Sequence, residues 1–470
     1  MSVNSRPPQK IAQAGLILIA AGILSHALAF IREVILAAKF GVNSAIDAFL
    51  IAMIPVSLFI LISDALFTSF LPIFTKERQM QGEERAWQMA SNIMNVFIGS
   101  FALIVLAYAL FAKPITRLIV PGLSPEGITQ ASNLIRIMSP ILILVLPISL
   151  SAAILNSYKQ FTYPAFAELI PTVGIIAAVA TLSGRMGVYS LAIGAVIGYF
   201  ARFIIQFSRI MGTLKEHYVF SFKIFDPIVR NFSVFVLCTL VANGSYVVSL
   251  VVDRYFASFL PAGTIAALGF ADKLISSSFY IFIFAITSAV FPTLSQNNAT
   301  KDREKFNALL EKSLRLSLTL LLPVSAILII LREPLVRLLF ERGSFDARAT
   351  MITAQCLSFY AIGLFAYGGS FLLTRAWFAL HRPKVPAMAG LAAISVHIIF
   401  DCLLAGKFGH RGLALANSLA GITNFTILFI LLQREFNFCD FPKFRAFFFK
   451  AAALSGSLAA ISLTFGRIFL

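Results

Sequence analysis

Charged and titratable side chains occur inside or beside long apolar segments of this sequence. Placing such a charge at the centre of a membrane helix costs about 2.5–3.5 kcal/mol, so these residues are candidates for function. Arginine binds phosphate through paired hydrogen bonds, and lysine offers a compact positive charge. We therefore expect an anionic substrate, with an acidic group that holds the basic ones between binding events. The candidate substrate-binding residues are His26, Arg32, Asp47, Arg254 and Lys273.

A second set of polar residues suggests ion coupling. His397 and Asp401 are four residues apart, which places them on one face of a helix, and Asn417 follows in the next apolar segment. Together with Asp253 they offer oxygen ligands for Na⁺, and the His–Asp pair could instead carry a proton. A hydrogen-bonded cluster that only holds helices together accounts for the same residues. No cofactor and no metal other than sodium is expected.

The composition requires lipid as the main solvent. Of the 470 residues, 59% are hydrophobic and 13% are charged, and the mean hydropathy is +0.88. Soluble domains have about 25% charged residues, so a soluble protein is excluded. The net charge of +17 comes from Lys and Arg scattered between apolar segments, which favours contact with anionic lipids over nucleic acid.

Thirteen apolar segments are long enough to cross a membrane, since a spanning helix needs about 20 residues. They are 11–31, 45–73, 87–112, 134–157, 161–183, 187–208, 231–252, 264–292, 314–331, 351–378, 385–406, 411–432 and 446–468. Lys and Arg are more abundant in the loops on the side of the N-terminus, which predicts a cytoplasmic N-terminus. Residues 301–316 mix charged and apolar side chains, as in an amphipathic surface helix or a solvated linker.

Short motifs recur in the two halves of the chain with a nearly constant offset. Pro72 and Pro292 each follow a long apolar segment, and Gly187 and Gly409 precede similar motifs with almost the same separation. Each repeat holds six spans, so both repeats have the same orientation and are related by a pseudo-two-fold axis along the membrane normal. We predict an all-α polytopic membrane protein with two six-helix bundles and about one extra C-terminal transmembrane helix. The expected divisions are 1–217, 218–436 and 437–470.

Two bundles of this kind predict a central cavity, lined by the anion-binding residues, that opens alternately to each side. Duplication for stability alone is the other explanation. An enzyme such as a polytopic glycosyltransferase would need a large outer loop with a catalytic base, and the longest outer loop is short. The sequence also has no paired-histidine zinc signature, phosphate-binding glycine loop or serine nucleophile elbow. We expect a transporter and no enzymatic activity.

Several motifs together resemble one family. The first half contains Ile31-Arg32-Glu33-Val34-Ile35, Phe40-Gly41 and Ala45-Ile46-Asp47-Ala48-Phe49. The second half contains Val252-Asp253-Arg254, Phe270-Ala271-Asp272-Lys273-Leu274, Phe291-Pro292-Thr293-Leu294-Ser295 and Arg375-Ala376-Trp377-Phe378-Ala379-Leu380. This combination is similar to the MurJ/MviN family of lipid II flippases, within the multidrug/oligosaccharidyl-lipid/polysaccharide exporter superfamily.

The resemblance implies a function in peptidoglycan biosynthesis, and hence in the cell wall and cell shape. Members flip a polyprenyl-diphosphate-linked saccharide, lipid II, from the inner to the outer leaflet, and Arg32, Asp47 and Lys273 match positions of their cavity charges. A flippase for another cell-envelope or exopolysaccharide lipid-linked oligosaccharide is the first alternative. A drug/cation antiporter ranks lower because Arg32 and Lys273 disfavour cations. The expected location is the bacterial inner membrane, with membrane lipids as partners and a monomer as the functional unit.

Overall fold

The computed structural model describes residues 11–469. It leaves out the side chains at 11–14, 16, 19, 238–239, 241–243, 245–246, 281, 284–285, 288 and 458–469. All regular secondary structure in residues 11–469 is helical. Ten of these helices are long and apolar enough to cross a membrane, so the chain is a multi-pass membrane protein. Helices suit this solvent because every backbone hydrogen bond is made within the segment.

Contacts divide the described chain into two units. The first unit contains residues 11–40 and 44–247. Its helices are α1 (Ile11–Phe40), α2 (Ser44–Gln81), α3 (Glu83–Leu110), α4 (Ala112–Ile119), α5 (Pro125–Ser157), α6 (Thr162–Ala167), α7 (Ile170–Met186), α8 (Tyr189–His217) and α9 (Pro227–Asn243).

The second unit contains residues 41–43 and 248–469. Its helices begin with α10, whose first residues belong to the first unit. They are α10 (Ser245–Ala257), α11 (Thr264–Phe279), α12 (Ala285–Ala299), α13 (Arg303–Ile330), α14 (Arg332–Phe340), α15 (Ala347–Ala379), α16 (Lys384–Phe408), α17 (His410–Phe436) and α18 (Phe441–Phe469).

The backbone repeats itself along the chain. Three pairs of residues with positive φ have one identical separation in sequence: Gly41 and Gly263, Lys159 and His381, and Gly187 and Gly409. Helices α5 and α15 each have 33 residues, and each begins after a side-chain cap, at Ser124 and Asp346. Turns and helix lengths therefore confirm the internal repeat that the sequence motifs predict.

Three of the predicted spans are interrupted. The segment predicted at 161–183 forms α6 and α7, with a turn at residues 168–169. The segment predicted at 231–252 forms α9 and α10, with a break at Gly244. The segment predicted at 264–292 forms α11 and α12, joined by a π-helical turn at Tyr280–Phe284. Its counterpart in the first unit, α2, is one helix of 38 residues despite Pro55 and Pro72.

In the first unit, α2 packs along α5 and α7 packs along α8. The hydroxyl of Ser149 on α5 donates to the carbonyl of Ser63 on α2 at 2.6 Å. A Cβ at Gly198 on α8 would lie 2.6 Å from the Cα of Pro171 on α7, so this close approach requires glycine. Small residues and interhelical hydrogen bonds are what hold membrane helices together.

In the second unit, α13 packs against α15 and α18. Its residues Phe306, Leu310 and Leu314 are buried in a cluster with Trp377 of α15 and Phe444 of α18. The helix predicted within 301–316 is confirmed from Arg303 onward and the solvated linker is wrong, because residues 303–316 are the first turns of α13. Phe306, Leu310 and Leu314 face the interior, whereas Leu316 is 48% exposed.

Candidate functional site

The first part of the candidate site lies on α16. His397 and Asp401 are one helical turn apart, and the Nε2 atom of His397 is 3.4 Å from Oδ2 of Asp401. The two side chains are 1% and 0% exposed. A spacing of four residues brings side chains together on a helix surface, as the sequence predicts. Both groups are therefore fully removed from solvent, beside each other.

Helix α10 adds a second carboxylate. The Oδ1 atom of Asp253 lies 3.1 Å from Nε2 of His397, so one imidazole nitrogen faces two carboxylates. Ligand atoms of Asp253, His397 and Asp401 all lie within 4.8 Å of one another, and all three residues are buried. The structure thus brings together residues that the sequence places in separate apolar segments.

Asn417 on α17 and Tyr367 on α15 extend this cluster. The Nδ2 atom of Asn417 donates to Oδ2 of Asp253 at 3.5 Å. The hydroxyl of Tyr367 donates to the carbonyl of Asn417 at 2.8 Å and also contacts its side-chain oxygen. Sequence reasoning missed Tyr367, although a tyrosine hydroxyl within a spanning segment signals a buried polar partner. We call these five residues, Asp253, Tyr367, His397, Asp401 and Asn417, the buried cluster.

Several polar atoms of the buried cluster lack a hydrogen bond. Oδ1 of Asp253, Nε2 of His397 and both carboxylate oxygens of Asp401 are buried with no hydrogen-bond partner, although they are close together. Buried polar groups are normally hydrogen-bonded, and an unpaired buried charge is costly. A small cation among the carboxylates, or a proton shared with the imidazole, would supply the missing partner. The donor set therefore fits a small cation or a shared proton.

The candidate substrate residues of the first unit lie on α1 and α2. His26 is exposed on α1, and Arg32 is about one-fifth exposed. The guanidinium of Arg32 pairs with the carboxylate of Glu33, with Nε 3.2 Å from Oε1. Asp47, in the first turn of α2, is 4% exposed. Glu33, which the sequence analysis did not select, is thus the acidic partner of Arg32 in this conformation.

The candidate substrate residues of the second unit differ in burial. Arg254 on α10 is 7% exposed, its Nη1 atom donates to the carbonyl of Ile265 at 3.5 Å, and its Nε atom has no hydrogen-bond partner. Lys273 on α11 is half-buried. Arg254 is next to Asp253 in sequence, and its side chain leaves the helix about 100° away from that of Asp253. Of these two basic residues, Lys273 is the one partly accessible to a large ligand in this conformation.

Comparisons with known proteins give consistent results. The sequence profile of the family described as "Lipid II flippase MurJ" matches residues 36–469. The lipid II flippase MurJ of Thermosipho africanus is 30% identical over 90% of this chain and 86% of its own length.

Solved structures agree with the sequence comparisons. A structure titled "Lipid II flippase MurJ, inward closed conformation" has a TM-score of 0.82 and 28% identity, covering 96% of this chain and 93% of its own. An inward-facing multidrug transporter of the MATE family has a TM-score of 0.70 at 11% identity, covering 90% of this chain and 98% of its own. That second similarity shows the fold alone.

Proposed function

The chain belongs to the lipid II flippase MurJ family, and from this premise we propose that it moves lipid II from the inner to the outer leaflet of the bacterial cytoplasmic membrane. The observation that carries this proposal is the match of the family profile over residues 36–469, nearly the whole chain. A flippase moves its substrate intact, so the protein is a transporter and not an enzyme. We further propose a cytoplasmic N-terminus and a functional monomer.

We propose that Arg32 and Lys273 bind the diphosphate of the substrate. A guanidinium can hold phosphate by two hydrogen bonds, and in this conformation that group is engaged by Glu33. The diphosphate would have to displace Glu33 from Arg32. When no substrate is bound, the carboxylate of Glu33 orients the guanidinium of Arg32 and balances its charge. His26, Asp47 and Arg254 are secondary candidates: His26 lies on the same helix as Arg32, and Asp47 and Arg254 are buried.

We propose that the buried cluster couples a cation to transport. The carboxylates of Asp253 and Asp401 are oxygen ligands, as hard cations such as Na⁺ prefer, and Asn417 orients Asp253 through its Nδ2 hydrogen bond. The imidazole of His397 suits a proton instead, since histidine changes charge near neutral pH. Either ion would supply the partner that the buried oxygens lack, and a difference in ion affinity between two conformations would bias transport.

Transport is tested by complementation of a bacterial strain depleted of its own flippase, together with an assay of lipid II exposed on the outer leaflet. The unmodified chain should restore growth and exposure. Arg32→Ala should abolish both while membrane levels stay normal, because no other group replaces the paired hydrogen bonds. Arg117→Ala, which removes an exposed arginine of α4, is the matched control and should retain activity. A chain that inserts normally but exposes no lipid II would contradict the proposed substrate.

Ion coupling is tested separately with Asp401→Asn and His397→Asn. Lipid II exposure is measured in vesicles while the Na⁺ gradient and the pH gradient are varied one at a time. Loss of Na⁺ dependence in Asp401→Asn indicates sodium, and loss of pH dependence in His397→Asn indicates a proton. If neither gradient affects lipid II exposure in the unmodified chain or in the two variants, the cluster has only a helix-holding role.

A further inference from the structure

The segment 218–226 joins α8 to α9 without regular secondary structure and lies against α3 in the first unit. The side-chain amide of Asn92 makes two hydrogen bonds to the backbone of Lys223: its Nδ2 donates at 3.3 Å, and its Oδ1 accepts at 2.8 Å. Asn95 donates to the carbonyl of Ser221 at 3.0 Å. These amides satisfy an irregular backbone in place of water, so the segment is held to α3.

The outer side of this segment is apolar and aromatic. Phe220 is 77% exposed and Phe225 is 96% exposed, whereas the ring of Phe222 fills the space beside Gly99 of α3. Exposed lysines and arginines flank these rings, and they are Lys215, Lys223 and Arg230. Aromatic rings next to basic residues at the end of spanning helices are typical of a segment in the headgroup region of a bilayer.

A polar cavity of about 120 Å³ lies between this segment, the start of α3 and the start of α9. Arg85 and Lys223 bring two positive charges to its wall, and Gln88 and Asn92 bring amides. The one carboxylate, Asp226, accepts a hydrogen bond from the backbone of Ile228 as the cap of α9. Asp226 compensates the positive end of the α9 dipole, so the cavity wall carries two cations and one carboxylate, a net charge of about +1.

We propose that this cavity binds the phosphate headgroup of an anionic membrane phospholipid, whose acyl chains lie over Phe220 and Phe225. The two cations match a phosphodiester, and the exposed rings match the acyl chains. A free phosphate ion would use the cavity but not the rings. The site lies within the first unit and does not depend on the proposed substrate or on the buried cluster.

The test uses the full chain in vesicles, with Phe225→Trp as a reporter. Its tryptophan fluorescence, after subtraction of the two native tryptophans, is quenched by brominated phosphatidylglycerol or by brominated phosphatidylcholine. Quenching should favour the anionic lipid, and Arg85→Gln with Lys223→Gln should reduce that preference about 25-fold, since each basic group near the surface favours anionic lipid about fivefold. The matched control is Lys76→Gln with Lys159→Gln, which removes two exposed lysines outside the cavity. This control should leave the preference for the anionic lipid unchanged.

Three results would overturn the proposal. Equal quenching by both lipids in the reporter protein would mean that no headgroup is recognised. Equal loss of preference in the cavity variant and its matched control would indicate a diffuse surface charge and no site. Removal of the preference by excess inorganic phosphate, with unchanged total quenching, would show that a free anion is the ligand.

Discussion

The two units have the same backbone pattern, but the side chains at matching positions differ in polarity. When Gly41 is matched to Gly263 and Gly187 to Gly409, four members of the buried cluster acquire counterparts in the first unit. The counterparts of Asp253, His397, Asp401 and Asn417 are, in that order, Ile31, Ile175, Val179 and Ala195. Three of these first-unit residues are buried: Ile175 at 4%, Val179 at 0% and Ala195 at 1% exposed. Because the positive-φ residues on both sides keep one offset, the comparison is between matching sites.

In the first unit the three counterparts on α7 and α8 are apolar and buried, whereas Ile31, the counterpart of Asp253, is 49% exposed on α1. The second unit carries two carboxylates and an imidazole there, and each such group costs about 2.5–3.5 kcal/mol in a membrane helix. Stability alone gives no reason to keep them. The comparison therefore supports the proposal that the buried cluster binds an ion.

The largest expected effect on transport comes from replacing four members of the buried cluster by their counterparts in the first unit. We expect the variant Asp253→Ile/His397→Ile/Asp401→Val/Asn417→Ala to lose transport completely. Its thermal unfolding midpoint should be equal or higher, because replacing a whole buried ionic group by apolar residues is often neutral or stabilising. Complementation and thermal unfolding in detergent measure the two quantities.

The matched control exchanges Ile175→Val and Val179→Ile in the first unit, which conserves volume and should leave growth unchanged. Growth of a flippase-depleted strain on the four-residue variant would mean that the buried cluster has no part in transport.

A smaller effect should follow when one member of the cluster is removed alone. Asp253→Ala leaves His397 and Asp401 buried without their partner, and such changes cost about 3 kcal/mol or more. We expect a lower free energy of unfolding than in the four-residue variant, although fewer residues are changed. Stability equal to that of the four-residue variant would show that the cluster members are not energetically coupled.

Tyr367→Phe sharpens the comparison at the edge of the cluster, since Val145 occupies the matching position in the first unit. Removing the hydroxyl that donates to Asn417 should cost about 1 kcal/mol of stability, the net worth of one hydrogen bond. Transport should persist with a shifted ion dependence, because Asn417 loses its orientation towards Asp253. Complete loss of transport would place Tyr367 in the binding step itself.

The smallest effect concerns the start of two matching helices. Asp302 caps α13 by accepting from the backbone of Lys305 at 3.1 Å, whereas α3 begins after Gly82, which has no side-chain cap. The pKa of Asp302 lies below its ordinary value of 3.8. The main cause is the hydrogen bond from the Lys305 ammonium, and the backbone N–H and the charge of Lys305 act in the same direction. The stabilisation is therefore present at neutral pH and is lost as pH falls through the lowered pKa.

We expect Asp302→Ala to lower the unfolding midpoint slightly at pH 7, and the difference from the unmodified chain to shrink below about pH 4. Thermal unfolding over a pH series measures this. Asp440→Ala, at the similarly capped start of α18, is a parallel case with the same sign. A difference that grows as pH falls would contradict the assignment.

Much of this architecture follows from patterns in the sequence. Pro72 and Pro292 disclosed the repeat because they occupy similar places inside α2 and α12, and the spacing of His397 and Asp401 placed them on one face. The π-helical turn at Tyr280–Phe284 has no such signal, since its five residues include neither proline nor glycine. The continuity of 303–316 with α13 was missed because the charged residues kept this stretch out of the apolar segment predicted at 314–331, although its amphipathic pattern was recognised.

The candidate site was predictable in part. Polar residues in apolar segments identified four of the five members of the buried cluster, because such residues are rare in lipid. Tyr367 was missed because tyrosine is common in membrane helices as an apolar ring. Glu33 was missed because residue type alone could not decide whether Glu33 or Asp47 pairs with Arg32.

The separation of Asp253 from its partners affects how the protein is made. Asn417 follows Asp253 by 164 residues, a stretch that takes roughly 10–30 seconds to synthesise at about 5–20 residues per second. During that interval the ribosome has released α10 into the insertion machinery with a carboxylate and no His397 to meet it. Asp253 therefore meets these partners only after α16 and α17 have been synthesised, so the buried cluster is completed late in the synthesis of the second unit.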